Sequence, residues 1–255
     1  MKYGRTGEKM KCIILAAGYA TRMYPLTENF PKPLLEVGGR PILDWLTEDL
    51  DPVVEEFIVV SNHKYADHFR RWAEGKRAVV VDDGTSTNET RLGAVRDILF
   101  AAEQLGLEGE DLLIIAGDNV LDFSLRSFAE FAREAGVSCT MRYWEEDDAK
   151  LRRAGVSEVD GDRLVGFEEK PAEPKSRWCT PPFYYYTAED VRKIPEAVAD
   201  GCGTDAPGSL VAWMCRRSPM RSMVMPGKRY DIGNLEQYEQ IRESYRGPEE
   251  GACPV

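Results

Sequence analysis

The sequence predicts a doubly wound, mostly parallel α/β sheet with helices on both faces and an added region of antiparallel strands. Three observations carry that expectation. Short apolar runs without polar alternation, such as CIILAA at 12–17 and LLIIA at 112–116, read as strands buried on both faces. Segments with apolar residues at helical spacing separate these runs through the first half of the chain. Beyond residue 136, strand-like runs follow one another across short turns such as Asp160-Gly161-Asp162.

In order, the first strand (12–17) opens into a loop of small residues, Gly18-Tyr19-Ala20-Thr21, that ends on Arg22. Residues 41–50 begin with Pro41 and place Ile42, Leu43, Leu46 and Leu50 on one side, which predicts a helix with proline at its start. A second buried strand at 57–60, a helix at 63–74 and a third strand at 77–81 follow. Leu92, Val95, Leu99, Ala102 and Leu105 mark a helix across 89–105. The fourth strand is 112–116, and Leu125, Phe128, Ala129 and Ala132 mark the next helix. This alternation of strand and helix is the plan of a parallel sheet covered on both faces. Strands are then expected at 137–144, 155–159, 163–168, 178–187 and 222–225, and helices at 188–200 and 234–246. The chain divides into an N-terminal extension (1–10), a single domain (11–246) with halves of about 11–136 and 137–246, and a tail (247–255) without periodicity.

At 255 residues, with 43% hydrophobic and 30% charged residues, the chain suits a globular protein with a sizeable core. Its formal net charge of -11 argues against a duplex nucleic acid or an anionic membrane surface as partner. A local basic pocket for a small anionic substrate is compatible with it. Six cysteines and two histidines, with no Cys-x-x-Cys pair, give no zinc-ligand pattern and fit a reducing, cytoplasmic setting. No stretch approaches the ~20 apolar residues of a membrane span, and no internal repeat is present.

Four constellations carry chemistry. After the first strand, small residues let backbone N–H groups approach a phosphate, while Arg22 and Lys32 (in Pro31-Lys32-Pro33) supply two cations. A tight turn with two solvated cations reads equally well. Asp118 in Ala116-Gly117-Asp118-Asn119 follows the fourth strand, at the sheet edge where open α/β folds bind ligands. It suits Mg²⁺, and it also suits a turn or a helix N-cap. Asp231 in Tyr230-Asp231-Ile232-Gly233-Asn234 offers a second metal carboxylate or a structural cap before the last helix. Glu169 and Lys170 in Phe167-Glu168-Glu169-Lys170-Pro171 pair an acid with a base at a strand end, for a sugar hydroxyl and a phosphate, or as an ordinary exposed end.

Together these segments resemble the sugar-1-phosphate nucleotidyltransferase family, which includes glucose-1-phosphate thymidylyltransferases and mannose-1-phosphate guanylyltransferases. The resemblance rests on Leu15 to Arg22 followed by Pro31-Lys32-Pro33, and it extends from Lys11 to about Tyr245. It implies a Rossmann-like fold and a Mg²⁺-dependent condensation of an NTP with a sugar 1-phosphate, giving an NDP-sugar and pyrophosphate. Leu15, Ala17, Gly18, Ala20, Thr21, Arg22 and Gly93 would then bind the nucleotide. Arg22 would hold the triphosphate and Lys32 the point where the two substrates meet. Asp118 and Asp231 would hold the metal, and Gly155, Glu169 and Lys170 the sugar phosphate.

Departures from the family pattern bear on the substrate. Residues 85–91 lack the glutamine with which thymidylyltransferases read the base, Ala154 stands where tyrosine is common, and Pro181-Pro182 replaces a Thr-Gly pair. The chain after Asp231 lacks the long C-terminal region of many relatives, so a monomer or small homo-oligomer is expected. Two rivals use some of the same residues: a metal-dependent glycosyltransferase of similar sheet, and a catalytically silent sensor of sugar nucleotides.

Overall fold

A computed structural model describes residues 10–230 and 232–248. Asp231, the expected extension up to residue 9, and tail residues 249–255 lie outside the described residues. Ten strands form one sheet: β1 (Met10–Leu15), β2 (Val54–Ser61), β3 (Ala78–Asp82), β4 (Leu112–Ala116), β5 (Ser138–Trp144), β6 (Gly155–Asp160), β7 (Arg163–Glu169), β8 (Trp178–Thr180), β9 (Phe183–Tyr186) and β10 (Met220–Val224). Their spatial order is β8-β6-β7-β10-β5-β9-β4-β1-β2-β3. Strands β1 to β4 are mutually parallel in the order 3-2-1-4, so the chain reverses its direction of travel across the sheet between β1 and β4.

The helices are α1 (Ile42–Leu50), α2 (Ala66–Ala73), α3 (Ala94–Leu105), α4 (Arg126–Ala135), α5 (Asp148–Leu151), α6 (Ala188–Val191), α7 (Ile194–Ala199), α8 (Gly208–Met214) and α9 (Leu235–Arg242). Alternation along the strands sends successive side chains to opposite faces. Cys12, Ile14, Val59 and Ile115 meet α1, α2 and α4 on one face. Ile13, Ile58, Val60 and Ile114 meet α3, α7 and α8 on the other.

The expectation of a mostly parallel sheet needs correction. The sheet is mixed, because strands β5 to β10 continue it edge to edge and join it largely through antiparallel pairs. The strand expected across 178–187 is two strands. Pro181 and Pro182 remove two ladder donors between them, and β8 pairs with β6 and β5 while β9 pairs with β4 and β5. The helix expected at 188–200 is likewise split into α6 and α7, with Pro195 in the first turn of α7. Helices α5 and α8 were not expected from periodicity.

Helix α3 starts at Ala94 rather than near residue 89. Gly93 has φ +90°, and an added Cβ would lie 2.5 Å from the Thr204 carbonyl oxygen. The close approach lets the Ala94 and Val95 amides donate to Asp205 and Thr204 carbonyls at 3.2 and 3.0 Å. The buried face of α3 is also turned from expectation. It presents Val95, Asp97, Ile98, Ala101 and Ala102, while Leu105 is exposed.

Asp97 therefore lies buried against the sheet, with one carboxylate oxygen unpartnered among the described residues. Burial, and then the charge of neighbouring Asp83, push its carboxyl up from 3.8 to about 7. The folded protein thus holds a proton that the unfolded chain has released between those two values, so stability falls as pH rises across that window. In Asp97→Asn that slope is removed, and the variant gains on the parent from about pH 4 to about pH 7 and keeps the gain above it, as read by urea unfolding at a series of pH values. Gly93→Ala is expected to lose about 1–3 kcal/mol of unfolding free energy in the same assay, from the forbidden φ and the Thr204 contact.

Candidate active site

The reversal between β1 and β4 creates a crevice at the carboxyl ends of the parallel strands, the general ligand position in open α/β sheets. Leu15 closes β1 between Val60 of β2 and Ala116 of β4. The Ala16 amide donates to the Val60 carbonyl at 2.9 Å, and the Asn62 Nδ2 donates to the Ala17 carbonyl at 2.9 Å. A Cβ on Gly18 would touch nothing within 4 Å, so its small size leaves room above the strand end. Ala20 turns left-handed at φ +45°. Its carbonyl accepts from the buried Thr27 Oγ1 at 2.8 Å, and the Tyr65 hydroxyl donates to the Thr27 carbonyl at 2.6 Å. The loop is thereby pinned to α2's start. A single 3₁₀ turn, Thr21–Met23, buries Met23 and leaves Thr21 and Arg22 exposed at the rim.

Lys32 opens a second 3₁₀ turn, Lys32–Leu34, whose Pro33 packs against Gly117; a Cβ on Gly117 would lie 2.9 Å from Ile14 and 3.5 Å from Pro33. That packing sets the buried Lys32 Nζ 2.6 Å from Asp118 Oδ2. Burial raises the Asp118 carboxyl, but the charge and hydrogen bond of Lys32, with the charge of Arg229, outweigh it and hold the group below its ordinary value.

A pocket of about 210 Å³ brings together Leu15, Gly18, Ala20, Arg22, Lys32 and Asp118. Ile232 and Gly233, the two residues that follow Asp231 in the chain, also line it. Ala17 and Thr21 border this set in the chain. The donor set fits Mg²⁺, which takes one or two protein carboxylates and fills its remaining positions with water and phosphate oxygens. Asp118 is half-exposed to the pocket, and among the described residues no cluster of three or more His, Cys, Asp or Glu forms a closed metal cage.

Gly93, Gly155, Glu169 and Lys170 do not line that pocket. Gly155 pairs with Glu169 across β6 and β7, and an added Cβ there would lie 3.0 Å from Glu169 Oε2. Lys170 leaves the strand at φ +48°, its amide donating to the Ala154 carbonyl at 3.0 Å. Burial raises the Glu169 carboxyl, Lys170 lowers it, and Asp205 raises it again. Asp205 in turn receives Arg91 Nε and Nη2 at 3.1 and 2.9 Å and touches Gly93, which ties Gly93 to this second cluster. A larger cleft of about 850 Å³, bordered by Trp144, Arg152, Lys175 and Trp178, contains none of these residues.

Sequence reasoning missed Asn62, Asp205 and Arg229. Asn62 and Asp205 lie in loops without a motif. Arg229 immediately precedes the Tyr230–Asn234 segment and carries no motif of its own.

The chain matches the nucleotidyl transferase family model over residues 11–247. It is 31% identical to a glucose-1-phosphate thymidylyltransferase of Mycolicibacterium smegmatis over 202 residues, covering 75% of this chain and 67% of that protein. It is 29% identical to a UTP–glucose-1-phosphate uridylyltransferase of Haloferax volcanii, covering 70% of this chain and 72% of that one. A mannose-1-phosphate guanylyltransferase of Arabidopsis thaliana is 28% identical, with 90% and 63% covered. The chain spans about half the length of other relatives it matches, 50% and 51% in two of them. Among solved structures, a UDP-glucose pyrophosphorylase complexed with UDP-glucose superposes with a TM-score of 0.78 at 18% identity, over 93% of this chain and 98% of that one, which shows a shared fold. The chain belongs to the nucleotidyl transferase family.

Proposed function

We propose, from that membership, that this chain transfers a nucleoside monophosphate from an NTP to a sugar 1-phosphate or a close analogue, releasing pyrophosphate. The observation that carries the reading is the Lys32–Asp118 pair beside Arg22 in the crevice between β1 and β4. The names of the thymidylyl-, uridylyl- and guanylyltransferase relatives point the same way without agreeing on a base or a sugar.

In this reading Gly18 leaves space for the nucleotide, and the pinned loop from Ala20 to Thr27 holds Arg22 on the triphosphate. Lys32 has three N–H donors and spends one on Asp118, so two remain for the α-phosphate and the incoming sugar phosphate. Glu169 accepts from sugar hydroxyls and Lys170 meets the sugar phosphate. Asp118 and Asp231 would hold Mg²⁺, which when bound neutralises phosphate oxygens. A sugar phosphate is already an anionic nucleophile near neutral pH, so the protein's task is to offset repulsion between two anions and hold them in line. No histidine or covalent nucleophile is needed for that.

The working form is proposed to be a monomer or small homo-oligomer in a reducing, cytoplasmic setting. Among the described residues five cysteines are free thiols, and no helix is long and apolar enough to cross a membrane.

A pyrophosphate-release screen of all NTPs against a panel of sugar 1-phosphates tests the reaction. Tight nucleotide binding without release across the panel would favour a sensor, and glycosyl transfer from an NDP-sugar would favour a glycosyltransferase. Lys32→Ala, Asp118→Asn and Asp231→Asn are each expected to lower kcat/KM roughly 100-fold or more, with native circular dichroism retained. Near-normal turnover in any two of them would sink the assignment.

A further inference from the structure

The charges already placed leave one phosphate poorly served. Lys32 divides its three donors among Asp118, at 2.6 Å, and two phosphates, Arg22 stands at the outer rim of the nucleotide pocket, and Lys170 is exposed beside the Glu169 carboxylate. An acceptor that brings its own phosphate between the two clusters needs a cation there.

Arg229 occupies that position. It lies in a two-residue ribbon, Arg229–Tyr230, paired antiparallel with Val120–Leu121, immediately after Asn119 and Asp118. Its Nη1 donates to Asn119 Oδ1 at 3.3 Å, and it reaches the Tyr143 side chain on β5. Its charge bears on four groups that surround it: Asp118 on the nucleotide side, and Tyr143, Cys179 and Tyr184 on β5, β8 and β9. Tyr143 faces Cys179 across β5 and β8, and the next residue, Thr180, faces Gly155, the cross-strand partner of Glu169, so Arg229 links the strand end that carries Asp118 to the strands that carry the Glu169 cluster.

A purely structural role explains this poorly. Asn119 is already anchored, since its Nδ2 donates to the Ala116 carbonyl at 2.8 Å, and the bond from Arg229 is long for a prop. A guanidinium carries five N–H donors in a planar fork. Bonds to Asn119 and Tyr143 leave further N–H donors on the guanidinium, a group suited to phosphate recognition.

We propose that Arg229 is a substrate-binding residue that grips the phosphate of the acceptor and holds it beside Lys32 for attack. This rests on the nucleotidyl-transfer reading, with the acceptor a phosphate monoester bound between β4, β5, β8 and β9. No bond is made to Arg229. The acceptor oxygen attacks the α-phosphorus, pyrophosphate leaves with the electron pair of the broken bond, and Arg229 screens the charge of the attacking group.

The test is a kinetic split on Arg229→Gln and Arg229→Lys, using the substrate pair identified in the screen. For Arg229→Gln, KM for the sugar phosphate should rise about tenfold or more while KM for the NTP changes less than about twofold. Arg229→Lys should recover part of the loss, because it restores the charge without the fork. Inorganic phosphate, as an inhibitor competing with the sugar phosphate, should weaken in parallel.

Equal effects on both KM values, or none, would overturn the proposal. If Arg229→Gln unfolds at lower urea, Arg229→Lys decides: a native urea midpoint with normal KM for the sugar phosphate also overturns it. A second readout does not depend on turnover. Inorganic phosphate titrated calorimetrically into Arg22→Gln, which lacks the nucleotide-side fork, should still bind, and affinity should drop about tenfold in the Arg22→Gln/Arg229→Gln double variant. Failure of the parent chain to release pyrophosphate anywhere in the screen would defeat the reaction reading alone. The phosphate titration would then still uphold the anion site if affinity drops, or overturn it if affinity is unchanged.

Discussion

An ammonium group buried at a sheet edge costs several kcal/mol unless a charge of opposite sign meets it in good geometry. Lys32 is 9% exposed and Asp118 answers it at 2.6 Å. Neither residue is placed by its own neighbours in sequence. The carboxylate sits one residue past Gly117, whose amide donates to the Leu15 carbonyl at 3.0 Å and whose bare Cα lies close against Ile14 beside Pro33. The lysine sits one residue before Pro33. The ion pair is therefore a readout of the parallel register Leu15–Ala116 between β1 and β4. A slip in that register, or a side chain at position 117 pressed against Ile14, separates the charges and leaves the buried Lys32 ammonium without its partner. Strand order creates the crevice, and the pair fixes what the crevice can hold.

The acidic body makes local placement decisive. With a net charge of -11 the chain as a whole repels anions, yet such a field fades over roughly 8 Å at physiological salt. Inside the crevice, nearby side chains outweigh it. The contest plays out in opposite directions at two carboxylates. Asp118 is held down because Lys32 and Arg229 overcome burial, whereas Glu169 rises because burial and Asp205 overcome Lys170. The first carboxylate stays charged and suits a cation. The second has a weaker hold on its charge and suits exchange of hydrogen bonds with hydroxyl groups.

The sequence made the parallel half legible because its strands are continuous apolar runs and its helices carry apolar stripes. The residues lining the smaller pocket were legible for a related reason: Leu15, Gly18, Ala20, Arg22 and Lys32 fall within eighteen consecutive residues, from the end of β1 through the loop to the second 3₁₀ turn, and their grouping needs only that segment to fold back. Less was visible where partners come from distant segments. The face of α3 could not be read from spacing, because Gly93 and the Thr204–Asp205 segment decide where the helix starts and Asp97 takes a core position that a polarity rule assigns to solvent. The break at Pro181-Pro182 was present in the letters, but its consequence, two strands with different partners, depends on pairing across the sheet. Arg229 joins the site only through the ribbon with Val120–Leu121, a two-residue pairing too short to give a pattern.

The way α3 begins explains why the site is so rich in side-chain cations. In many doubly wound folds the free amides at a helix N-terminus receive the phosphates. Here the amides of Ala94 and Val95 are already satisfied by the carbonyls of Asp205 and Thr204. The loop after β1 leads into one 3₁₀ turn rather than a helix, so no helix N-terminus follows that strand directly. With the α3 amides committed elsewhere, the proposed reading meets phosphate charge largely with side chains from separate segments. Arg22 comes from the loop after β1, Lys32 from the turn before α1, and Arg229 from the ribbon that follows β10. In the proposed reading, cations from three separate segments would let two anions be held side by side without sharing one cation, as a transfer between two phosphate esters requires.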